Sequence, residues 1–123
     1  MRDSAGRGAG RGAGRGSGRT SKQMLEAPDG ATFVWVNGHI DYPKRLYRKL
    51  KDQKLLPETH RLYIVSREAL SFGAHRLRGV NGPVILDHAI GIYDRITDGE
   101  RDGLDCVRYI NERFAHDQKI ASL

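Results

Sequence analysis

Residues Pro83–Ala89 read PVILDHA, and the reading of this stretch decides the fold. Gly82-Pro83 punctuates its start, Val84, Ile85 and Leu86 follow without polar alternation, and Asp87 ends the run. A short apolar run bounded by turn residues suits a strand. Two other stretches read as strands. TFVWVNG, Thr32–Gly38, is rich in β-branched and aromatic residues, closes on Asn-Gly and suits a strand buried on both faces, as in parallel sheets; RLYIVS, Arg61–Ser66, is the second. Strands are therefore expected near residues 32–37, 61–66 and 83–87.

Between these runs the period becomes helical. TSKQMLEAP, Thr20–Pro28, offers a short helix with a proline stop. DYPKRLYRKLKDQK, Asp41–Lys54, places Asp41 as a cap, Pro43 in the first turn, and Leu46, Tyr47 and Leu50 on one apolar stripe. Its other face carries Lys44, Arg45, Arg48, Lys49 and Lys51, either as a solvated face or as the lining of a nucleic-acid groove. REALSFGAHRLRG, Arg67–Gly79, is weakly helical. LDCVRYINERFAHDQ, Leu104–Gln118, is expected as a helix with Leu104, Val107, Ile110 and Phe114 inward, capped by Asp105 and the preceding glycine. Strands alternating with helices define an α/β fold: a small parallel sheet of three, at most four, strands flanked by helices through right-handed crossovers.

The chain has 123 residues and a formal net charge of +6, and that charge is unevenly placed. Residues 1–22 carry +5 and the remainder +1. The basic part is a four-residue repeat, Ala5-Gly-Arg-Gly and its copies, with nothing to bury and with glycines that maximise chain entropy. Residues 1–16 are expected as a disordered tail and residues 17–123 as a single α/β domain. No apolar run approaches the roughly 18 residues that span a bilayer, and the start lacks the apolar core of a secretory signal. One cysteine, Cys106, fits a reducing compartment, so a cytoplasmic protein without membrane contact is expected.

The last copy of the repeat runs into the first helix as AGRGSGRTS, Ala13–Ser21. Glycines allow backbone N–H groups to wrap phosphates, a cation can reach them, and a hydroxyl at a helix N-terminus can ligate magnesium. With VILDHA downstream, the chain resembles a small, truncated P-loop nucleoside triphosphatase of the helicase-like type, Ala13–Ser21 standing for the phosphate loop and Val84–Ala89 for the magnesium strand. The resemblance implies ATP and Mg²⁺ as cofactors, with Gly14, Gly16, Ser17, Gly18, Arg19, Thr20 and Ser21 around the phosphates. It also implies Thr20 and Asp87 at the metal. His88 stands where many members carry a water-activating glutamate, and an imidazole could act as the base. Ala13 replaces the first glycine of the motif and Arg19 its lysine. The family sets a buried strand directly before the loop, and residues 1–12 cannot form one. The loop then lacks the element that aims it, unless a partner supplies a strand. So small a version of the fold would suit a viral or mobile-element protein, placing it in the host cytoplasm.

Two other functions remain open. The Gly-Arg tail, residues 1–22, could bind RNA or single-stranded DNA through phosphate contacts and guanidinium stacking. A pseudo-triphosphatase could keep the fold for protein contacts alone. Elsewhere, Cys106 lies beside an apolar stripe and reads as core, as do Phe33 and Trp35. His39, His60, His75, His88 and His116 lack the spacing of metal ligands. DGERDGLD, Asp98–Asp105, begins like a calcium loop but has Tyr109 where a bidentate glutamate is needed.

Overall fold

A computed structural model of the chain describes residues 18–71, 77, 80, 82–90 and 95–122. The expected tail and the first part of the loop, including Gly14, Gly16 and Ser17, lie outside the described residues. The elements are α1 (Arg19–Glu26), β1 (Ala31–Trp35), α2 (Asp41–Asp52), β2 (Leu62–Ser66), a 3₁₀ turn (Arg67–Leu70), β3 (Val84–Leu86) and α3 (Asp98–Ala121). The sheet has three strands in the order β2-β1-β3, all parallel. Ala31 lies opposite Leu62 and Trp35 opposite Ser66, while Thr32 faces Val84 and Val34 faces Leu86.

Side-chain alternation along the strands divides the apolar residues between two cores. Ala31, Phe33, Leu62, Ile64 and Ile85 pack with Met24 and Ala27 at α1 and with Leu46, Tyr47 and Leu50 of α2. Val34, Val65, Val84 and Leu86 pack on the opposite face with Ala69 and Leu70 of the 3₁₀ turn and with Leu104, Cys106, Val107 and Ile110 of α3. The central strand β1 is buried along its whole length, Thr32 included, between neighbours on both edges. Phe33 and Met24 are fully buried, each adding about 1.5–3 kcal/mol relative to exposure. Among the described residues no helix is long and apolar enough to cross a membrane.

Two polar fixtures tie the first core together. The buried His60 ring lies 2.9 Å from the Ala27 carbonyl through Nε2 and 2.7 Å from the Tyr47 hydroxyl through Nδ1, joining the end of α1 to α2. Asp29 accepts from the Arg61 backbone N–H at 2.6 Å, and that bond holds its carboxyl below the ordinary range. On the other face Arg67 grips the buried Glu100 with both Nε and Nη2, at 2.5 and 3.1 Å.

The outer edge of β3 has no neighbouring strand among the described residues, yet its peptide groups are engaged by side-chain amides. Asn111 of α3 donates from Nδ2 to the Val84 carbonyl at 2.9 Å and accepts from the Val84 N–H at 2.7 Å. Gln23 of α1 does the same at the other end, donating to the Leu86 carbonyl at 2.8 Å and accepting from the His88 N–H at 3.1 Å. The place on β3 where a partner strand would pair is therefore taken from within the chain.

Several local expectations are corrected. The last helix starts at Asp98 rather than at Asp105, which lies inside it. Its cap is Thr97, whose hydroxyl accepts from the Glu100 N–H at 3.2 Å while Glu100 accepts from the Thr97 N–H at 3.0 Å. This reciprocal pair satisfies two orphan donors at once and outcompetes a later start. Asp41 is the first residue of α2, not its cap; Ile40 holds that place, and the His39 ring accepts the Asp41 N–H at 3.2 Å. The weakly helical stretch after Arg67 makes only the 3₁₀ turn to Leu70 before leaving the described residues. The basic helix ends at Asp52, and Lys54 turns the chain with a φ of 63°.

Candidate functional site

The connection leaving β1 enters α2 on one face of the sheet, and the connection leaving β3 enters α3 on the other. The carboxyl ends of these adjacent strands therefore mark the point where the chain direction divides. That is the position at which open α/β sheets take ligands. Asp87 follows β3 directly, with its N–H donating to the Val34 carbonyl at 3.0 Å. Trp35 ends β1, one position beyond the Val34–Leu86 pair.

Asp87 is 1 % exposed, and neither of its carboxylate oxygens has a hydrogen-bond partner. Desolvation by this burial raises its pKa above the ordinary value; His88 and the backbone N–H groups of Ala89, His88 and Val36 pull the other way without overcoming it. Among the described residues the buried side-chain polar atoms without a partner are Trp35 Nε1, Asp87 Oδ1 and Oδ2, and His88 Nδ1. All four belong to three residues at the ends of β1 and β3. Buried polar groups are nearly always satisfied, so a cluster of orphans calls for a physical cause.

The start of α1 lies against the same place. The buried Thr20 hydroxyl is 3.4 Å from His88 Nε2, and Asp87 Oδ1 is 3.7 Å from that same nitrogen. A nucleophile–base–acid relay needs its two partners on opposite ring nitrogens, so this trio is not a hydrolase triad. Gly18 precedes α1 with a left-handed φ of 73°, a conformation that favours glycine, and no side chain caps the helix there. Uncapped first-turn N–H groups and the helix dipole suit an anion. Arg19 is exposed beside them and Ser21 is half-buried.

Thr20, Asp87 and His88 are thus brought together, with Gly18, Arg19 and Ser21 on the adjoining turn, while Gly14, Gly16 and Ser17 lie outside the described residues. Among the described residues no three His, Cys, Asp or Glu side chains converge as a metal cluster. A hydroxyl with one carboxylate is a different donor set, hard oxygens that suit Mg²⁺ with its retained waters, and an orphaned carboxylate fits such an ion.

Sequence reasoning missed Gln23 and took Trp35 for plain core. The signal for Gln23 was its position three residues after Thr20, on the helical face that also carries Met24 and Ala27 inward. The basic face of α2 has a groove of its own beside β2, about 490 Å³ in volume, where Lys44, Arg48 and Lys51 alternate with Asp52 and Glu58. The mixed signs there suit a solvated face. Comparison with the known protein families, with curated proteins and with solved structures found nothing that matches this chain.

Proposed function

We propose that the protein binds a nucleoside triphosphate with Mg²⁺, ATP being the reference ligand, at the carboxyl ends of β1 and β3. The observation that carries this reading is the buried Asp87 carboxylate, without a hydrogen bond, gathered with the Thr20 hydroxyl around His88 Nε2 at an uncapped helix start. Thr20 and Asp87 hold the metal; Gly18, Arg19 and Ser21 meet the phosphates through first-turn N–H groups and one guanidinium. Magnesium, when bound, supplies charge neutralisation at the phosphate oxygens. His88 keeps Nε2 toward both the hydroxyl and the carboxylate, so it orients these groups, and any activation of water falls to the same nitrogen. Its place where many P-loop proteins carry a glutamate supports slow hydrolysis or none.

Trp35 is the chain's single tryptophan and ends β1 directly after Val34, whose carbonyl accepts the Asp87 N–H, so its emission reports on the site. Titration with ATP in the presence of Mg²⁺ is expected to change that emission saturably, with reversal by EDTA and loss of the response in Thr20→Val. An identical response without Mg²⁺, or one that survives in Thr20→Val, counts against the reading. The charge of +5 on residues 1–22 supports a second, compatible activity, salt-sensitive binding of single-stranded nucleic acid. Binding that persists after deletion of those residues would contradict it.

A further inference from the structure

A phosphate-binding turn works only if it is held in register with the metal-binding carboxylate, and here the sequence ahead of Gly18 is glycine-arginine repeat with no apolar anchor. α1 is itself short, and Thr20 and Met24 are its buried residues. What fixes its first turn to β3 is the Gln23 amide. Nε2 donates to the Leu86 carbonyl at 2.8 Å and Oε1 accepts from the His88 N–H at 3.1 Å. One side chain thus bonds the residues on either side of Asp87, in the way that a neighbouring parallel strand would. Thr20 sits one turn earlier on the same helical face.

We propose that Gln23 is a positioning residue that sets Thr20 in register with Asp87, doing from within the helix what a strand before the loop does in P-loop proteins. This rests on the Mg²⁺–nucleotide reading of the site. The molecule contains its own control. Asn111 makes the same two-bond clip on Val84, at the opposite end of the same strand, with distances of 2.9 and 2.7 Å. A merely structural clip at either end should cost stability alone, whereas a positioning clip at the Asp87 end should also alter metal dependence.

The test is the Mg²⁺ concentration giving half-maximal ATP binding by the full-length chain, measured by calorimetry with ATP held constant. Gln23→Met is expected to raise it by about 10–100-fold, the usual effect of losing a group that orients metal ligands. Asn111→Met is expected to lower the melting temperature and leave that concentration unchanged. Gln23→Glu keeps the acceptor for the His88 N–H and loses the donor to Leu86; it is expected to show a smaller rise and carries the test where Gln23→Met does not fold. Native Mg²⁺ dependence in the Gln23 variants, or an equal shift in Asn111→Met, overturns the proposal while leaving the site reading intact. No Mg²⁺-dependent binding by the native chain overturns both.

Discussion

The Asp87 carboxylate is held away from water without a hydrogen-bond partner, and this makes it both the strongest pointer to a ligand and a source of instability. Burial raises its folded pKa above the ordinary aspartate value. Across the interval between those two values the folded chain keeps a proton that the unfolded chain has released. Stability therefore falls as pH rises through that interval, and stays lower above it. Asp87→Asn removes the charge at nearly constant shape. At neutral pH it is expected to stabilise the ligand-free protein by about 1–3 kcal/mol, read as a melting temperature higher by several degrees, with the gain vanishing below the ordinary aspartate pKa. A variant less stable than the native chain at neutral pH would show that the carboxylate has a partner. The candidate metal residues were legible in sequence because a strand-ending aspartate and a helix-starting threonine are local patterns. The orphan state of Asp87 was not, since it depends on the packing of α1, β1 and β3, which are distant in sequence. Gln23 could be placed on the inward helical face by its spacing from Thr20, but a glutamine in a short amphipathic helix carries no mark of the strand edge it will meet.

At the scale of elements, α3 shows how local chemistry can be read in the wrong order. Asp98–Asp105 is rich in acids and glycines, which suggested a loop, yet it forms the first two turns of a long helix. Thr97 and Glu100 were the overlooked start signal, a threonine followed three residues later by glutamate. Gly103 is tolerated because α3 there crosses the 3₁₀ turn at close range: a Cβ would stand 2.0 Å from the Leu70 carbonyl oxygen. Gly99, one turn earlier, has nothing within 4 Å. The two glycines should therefore respond oppositely to alanine in denaturant unfolding. Gly99→Ala is expected to be neutral or to gain up to about 1 kcal/mol from helix propensity, and Gly103→Ala to lose about 1–3 kcal/mol through overpacking. Equal effects would mean that the close approach is not maintained in solution. The strands were easier to read, because β1, β2 and β3 are short runs rich in β-branched and aromatic residues bounded by turn signals, although only β1 among them is buried throughout.

For the whole molecule, the sheet order is β2-β1-β3, and β1 and β3 lead into helices on opposite faces of the sheet, so the chain direction divides at their carboxyl ends. Alternating strand and helix signals made the α/β class readable, but not the strand order, which rests on which long-range pairs form. The proposed site takes its residues from the ends of α1, β1 and β3, spread from Gly18 to His88 and joined by Gln23 and the β1–β3 ladder. The measurement that tests the central claim most directly is the melting temperature of the full-length chain against ATP concentration, with and without Mg²⁺, beside Asp87→Asn and Thr20→Val. A ligand that binds only the folded state raises stability by about 2.7 kcal/mol at a hundredfold excess over Kd, on the order of 10 °C or more for a domain of this size. The account predicts that rise for the native chain with Mg²⁺ alone, its loss in both variants, and a higher starting temperature for Asp87→Asn. A native chain whose melting temperature does not respond to millimolar Mg²⁺–ATP, or an Asp87→Asn variant that responds as the native chain does, would contradict it.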